Sequence, residues 1–232
     1  MVKLINLELQ RINLRPYLIS STISGFVLLA FTYFIAYVAQ VEQEVDFMNY
    51  ENIFLFTGAM SILIFGVLSA SMYEKLIIEE YSGKRLALLF SYPVGRKKAF
   101  SAKILIVFSF VVLSMLLCTI LPIFVFAATE SFSPIVSDTM TSDILIKAVA
   151  TIVVSIVAVS AIGLLAMRIG FIKKSVPATL ISSFILSGIY GNIAIGSAGN
   201  FAISLLIIGV SLLAILAVFV TLSHKINHME VE

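Results

Sequence analysis

Few residues in this chain stand where chemistry could be done. His224 and His228 lie four apart near the C-terminus. On a helix that spacing puts both imidazoles on one face, as metal ligands require. Two ligands are an incomplete set, and in a polar tail such a pair is ordinarily solvated. Gly83-Lys84 is the only Gly-Lys pair, yet Arg85 follows it and Ile78 stands where a phosphate loop would begin with glycine. The pattern G-x-x-x-x-G-K-[ST] is therefore missing, and the chain cannot cradle ATP in that way. The single cysteine, Cys118, sits in an apolar run. It permits no internal disulfide and no cysteine zinc cluster, and it reads as a small packing residue. There is no H-E-x-x-H pattern and no nucleophile–base constellation among the many serines. No catalytic residue and no metal site are expected.

The elements that would carry these residues are set by composition. The 232 residues are 60% hydrophobic and 12% charged, with mean hydropathy +1.11. A soluble domain is nearer half apolar and a quarter charged. The solvent for most of this chain must be lipid. Six apolar runs are long enough to cross a bilayer, which takes about 20 residues per helix. They lie at 17–39, 53–72, 104–128, 144–167, 176–195 and 200–222. The last two, separated only by "GNIAIGSAGN", are either two spans or a partly re-entrant pair. The alternating pattern of a barrel is absent. So are internal repeats, a cleavable leader and a soluble domain: residues 1–232 read as one all-α integral membrane domain.

Basic residues orient it. If the six spans are right, 14 of the 15 Lys and Arg fall on one side, which places that side and both termini in the cytoplasm. The exception, Lys147, follows Asp143 by four residues, a spacing that permits a helical ion pair. The first outer loop holds Glu42, Glu44, Asp46 and Glu51 and no basic residue. That complements the positive-inside bias; a vestibule attracting cations is the sharper alternative. Residues 2–15 carry Val2, Ile5, Leu9 and Ile12 at helical spacing, with Glu8 and Arg11 elsewhere on the wheel. This suits an interfacial helix over 1–16, and Pro16 fits the first turn of the span that follows.

The largest polar segment is 73–103. It begins as an extension of the second span, "YEKLIIEEY", and breaks at Ser82-Gly83. Leu86, Leu89 and Phe90 then make one apolar face of a short helix. Pro93 ends that helix, because the residue before proline is pushed out of helical geometry. Such a helix could rest on anionic lipid headgroups or dock into a groove of a cytoplasmic partner with its basic rim setting register. Periodicity alone leaves both open. Within the spans, buried ionisable groups of the kind that ion-driven carriers use are almost absent. Small residues form stripes instead: Ser61, Gly66, Ser69 and Ala70 in the second span, and Ser183, Ser187 and Gly191 in the fifth. Close helix packing is their simplest use. They are also candidates for a path lining or a dimer interface.

The order "EEYSGKR-LALL-SYPVGR-KAFSAK" resembles the loop after the second span of type-2 ABC exporter permeases. The matching positions are Glu79 or Glu80, Gly83, Leu88, Leu89, Pro93, Arg96 and Lys103, with Lys84 where that family commonly has Thr. The resemblance implies that the loop carries a coupling helix seated in a separate ATP-binding subunit. Its contact residues would be Glu79, Glu80, Gly83, Arg85, Leu86, Leu89, Phe90, Pro93 and Arg96. It implies that ATP and Mg are bound by that partner, and that a second permease chain, identical or homologous, packs near the second and fifth spans. Small members in Gram-positive bacteria suggest export of, or immunity to, antimicrobial or amphipathic peptides. The short loop between the fifth and sixth spans departs from members with an elaborate outer gate. Membrane lipids are the other expected partner, and nucleic acid is not. The rival from another class is a membrane anchor or sensor that binds a regulator through the same loop.

Overall fold

Inside hydrocarbon every backbone N–H and C=O must be paired within the protein, so long apolar runs become helices. The computed structural model describes residues 2–42, 49–80, 96–132, 135–136, 141–197 and 200–227, and among these the regular structure is helical throughout. In chain order the helices are α1 (Val2–Arg11), α2 (Arg15–Glu42), α3 (Tyr50–Tyr73), α4 (Arg96–Phe132), α5 (Ser142–Lys173), α6 (Val176–Gly196) and α7 (Phe201–Asn227). A π-helical turn, Glu74–Ile78, continues α3. Six of these helices are long and apolar enough to cross a membrane, at the six places the apolar runs predict. The last two are separate helices, each of spanning length. α4 runs through Pro122 and, with 37 residues, reaches about 55 Å, well beyond a hydrocarbon core of about 30 Å.

The core is built around α3 and α5, which pack along each other, with α6 seated against both. In the most apolar stretch of α3 and of α5, 67% and 61% of residues are buried, against 17% in α7. α2 and α4 pair on one side of α3, α7 lies against α5, and α1 lies against α4. The α5–α6 turn closes at Lys174, whose φ of 48° is left-handed, and the Ser175 N–H donates to Gly170 O across it. A left-handed residue directly after a helix is a common way to satisfy its last carbonyls. Pro177 then occupies the first turn of α6, where its missing N–H costs nothing.

Two apolar clusters hold the bundle. The larger runs through its middle, with Ile62, Phe65, Met72, Phe100, Met115, Ile162 and Met167 buried. The smaller joins the end of α2, the start of α3, the end of α4 and the start of α5. There Phe126 meets the rings of Tyr33, Tyr50 and Phe54 edge-on, at 5.4 to 6.4 Å between centroids.

Candidate functional site

The expected coupling segment falls largely outside the described residues. That holds for Gly83, Arg85, Leu86, Leu89, Phe90 and Pro93, and for the Arg96 side chain, although Arg96 itself opens α4. What is defined is how both flanks of that segment are held. On the leading flank the π turn keeps Leu76, Ile77 and Ile78 buried. Its hydrogen bonds are shifted: the Glu79 N–H donates to Glu74 O and the Glu80 N–H to Ile77 O. In an α-helix the Glu80 N–H would take Leu76 O. Here Leu76 O instead accepts from Lys103 Nζ, at 3.4 Å, in the second turn of α4 on the trailing flank.

Lys103 is the centre of this arrangement. In the sequence it is a basic residue marking the return to the membrane and one of the positions that match the family's loop; in the structure it is 1% exposed. An ammonium has three donors, and burying one without partners is prohibitive. Lys103 Nζ donates to the Glu80 carboxylate as well as to Leu76 O, and lies 3.9 Å from Glu8. Arg11 approaches Glu80 at 3.5 Å from the more exposed side. Two cations and two carboxylates thus tie α1, the end of α3 and the start of α4 together with no net charge. Glu8 belongs to the inward side of α1, with Ile5 and Ile12, whereas Leu9 and Leu7 are 38% and 64% exposed. Lys103 draws a carboxylate to the side of α1 that packs on the bundle and leaves Leu7 and Leu9 on its outer side. Lys97 and Lys98, on the same helix, are exposed.

The paired carboxylates are also separated. Glu80 turns inward to Lys103, while Glu79 pairs with Lys75 at 3.0 Å, at the surface and four residues apart. Exposed pairs of this spacing are worth about 0.3–0.5 kcal/mol.

The small-residue stripes meet inside one chain. Ser61, Gly66, Ser69, Ala70, Ser183, Ser187 and Gly191 are all buried. A methyl group at Gly66 would run into the Ser187 hydroxyl of α6, and one at Gly163 into Ser69. Gly191 faces the backbone of Ala59. These positions let α3 approach both α6 and α5 closely, the role small residues commonly play between membrane helices. Ser61 donates to Gly58 O and Ser183 to Leu180 O, so both hydroxyls are used by their own helices. The Ser187 hydroxyl is buried and makes no hydrogen bond among the described residues.

At the opposite end of the bundle, two charged features depart from expectation. Lys147 reaches across to Glu51 of α3, at 2.5 Å, rather than along its own helix to Asp143. Glu130, beyond the predicted end of the third span, is inside α4 and only 6% exposed. It accepts from the Tyr50 hydroxyl at 2.7 Å, from the Ile135 N–H at 3.1 Å and from the Val136 N–H at 3.3 Å. A single carboxylate in "FAATESF" carries no periodic signal, so sequence reasoning passed over it. No group of residues able to hold a metal occurs among the described residues.

A family model described as "ABC-2 family transporter protein" matches residues 4–192. An "Uncharacterized protein YcbO" of Bacillus subtilis (strain 168) is 28% identical over 185 residues, covering 80% of this chain and 81% of the relative. No solved structure matches the chain.

Proposed function

This chain belongs to the ABC-2 family of transporter proteins, and from that premise we propose that it is the permease subunit of an exporter moved by a separate ABC ATPase. It is a multi-pass membrane protein, and in its family nucleotide is bound by the partner ATPase. The observation that carries the proposal is the charge cluster at the flanks of residues 81–95. Glu80, the last described residue before the segment, and Lys103, eight residues past its end at residue 95, bond directly to each other. A segment whose two ends are joined in this way passes a force to α3 and α4 as a unit. Without that bond, a push from an ATPase would bend the flanks instead of moving helices.

In this reading the partner ATPase grips Arg85, Leu86, Leu89, Phe90 and the residues around them, with Gly83 and Pro93 bounding the handle. ATP binding brings the two ATPase subunits together and displaces the handles of two permease chains. The buried seam of Ser187 against Gly66 would then open or slide, because glycine–serine contacts offer no interlocking side chains to resist it. Amphipathic antimicrobial peptides or similarly apolar compounds are the proposed cargo, supported by the apolar bundle and by the resemblance of the loop.

Co-expression of the chain with the ATPase encoded beside it, followed by co-purification and assay in vesicles, tests the proposal. Arg85→Glu and Arg96→Glu are expected to leave ATP hydrolysis running while transport stops. Wild-type transport in both variants, or failure of the chain to hold any ATPase, would favour the anchor or sensor reading instead.

A further inference from the structure

At the end of the bundle away from the coupling segment lies a cavity of about 440 Å³ between the N-terminal parts of α3, α5 and α7. This is within the range of about 300–1,000 Å³ typical of small-ligand sites. Phe54 and Leu55 of α3 form a buried floor, and Val154 and Ile208 extend it inward. Phe201 and Leu205 of α7 stand at its side, 74% and 51% exposed, so it opens laterally from the bundle. From Lys147 to Val154 the α5 wall alone runs about 10 Å along the helix axis. The Glu51–Lys147 ion pair stands at the end of this apolar trough nearest the helix starts.

A largely apolar trough that opens on the side of the bundle and carries its charges at one end has the polarity of a lipid molecule. The charges specify the headgroup. Lys147 attracts a phosphate, but Glu51 beside it repels a net anion and attracts an ammonium. A zwitterion can add a contact to each member of this pair without adding net charge, and a primary ammonium, unlike a quaternary one, can donate hydrogen bonds to Glu51. We propose that this cavity holds one acyl chain of a phospholipid whose phosphoethanolamine headgroup lies against Glu51 and Lys147. The site is separate from the coupling cluster and independent of the exporter reading.

The chain has no tryptophan, so one introduced indole reports one location. The full chain carrying Phe201→Trp, and a control carrying Phe124→Trp on the exposed face of α4, are placed in vesicles of phosphatidylethanolamine and phosphatidylglycerol. Either lipid is brominated in turn to quench the indole. At position 201 the ethanolamine lipid should bind about threefold more tightly than the glycerol lipid, the size expected from one partly exposed charge contact. At position 124 the ratio should be one, and Glu51→Gln should abolish or invert the preference at 201. Leu205→Trp, one turn deeper, repeats the measurement should Phe201→Trp fold poorly. Equal ratios at the cavity and control positions, or a preference that survives Glu51→Gln, overturn the proposal.

Discussion

Replacing Lys103 with methionine removes a buried cation while keeping most of its volume. Glu80 and Glu8, whose side chains are only 16% and 13% exposed, would then face each other without it. Breaking a buried pair by removing one partner costs about 3–5 kcal/mol, because the remaining charge is stranded away from water. Arg11 still approaches Glu80 at 3.5 Å, and both carboxylates keep some solvent, so the lower end applies: about 3 kcal/mol. Glu80→Gln should cost about the same, since it strands the ammonium beside a distant Glu8. The two losses should not add. Once Lys103 is gone, neutralising Glu80 removes the very charge that was stranded, so the double variant should recover about 2 kcal/mol relative to the sum. Thermal unfolding of the purified full chain in a single detergent reads this directly. At about 2–4 °C per kcal/mol for a chain of this size, each single variant should melt about 6–12 °C lower. Strict additivity, or a Lys103→Met variant as stable as the wild type, would refute the clamp.

Further expectations concern the seam, the far end of the bundle and the surface carboxylate. Gly66→Ala drives a methyl into the Ser187 hydroxyl and should destabilise by about 1–3 kcal/mol in the same melting assay. Ser187→Gly in the same chain should restore most of that loss, while Ser187→Ala alone should be neutral or stabilising because it removes a buried hydroxyl with no hydrogen bond. Glu130→Ala removes the carboxylate that accepts from the Tyr50 hydroxyl and from two backbone N–H groups, a loss of about 3 kcal/mol, and Glu130→Gln, which keeps one acceptor oxygen, should be milder. Glu79→Gln should cost less than Glu80→Gln, because the Glu79–Lys75 pair lies nearer the surface than the Glu80–Lys103 pair. A large effect at Glu79 in unfolding measurements would mean that the two carboxylates have been assigned to the wrong sides.

Much of the fold is legible in the sequence because long apolar runs face one dominant constraint. In hydrocarbon the backbone satisfies itself as helix, so the runs around Phe26, Phe65, Leu113, Val154, Ile185 and Leu212 predict six spans and their order. The handle between Glu79 and Lys103, with its expected helix stops at Gly83 and Pro93, is an expectation from local residue order, and residues 81–95 lie outside the described residues. The stripes at Gly66 and Ser187 are visible as spacing, though spacing does not say which helix each stripe meets.

What only the tertiary structure decided is the fate of the individual charges. Lys97, Lys98 and Lys103 are all basic residues at the return to the membrane, and although the resemblance picks out Lys103, nothing in the residue order says which of the three is buried. One is buried because α1 brings Glu8 and the π turn brings Glu80 and the Leu76 carbonyl to the same point. Lys147 likewise has a carboxylate at helical spacing in Asp143, yet its partner is Glu51, 96 residues away. The physical reason is the same in both cases. Hydropathy along one helix records how each residue partitions between water and lipid, a property of single residues. Which charge can be buried depends on partners from other helices meeting it within a few ångströms, a property of the packed bundle alone.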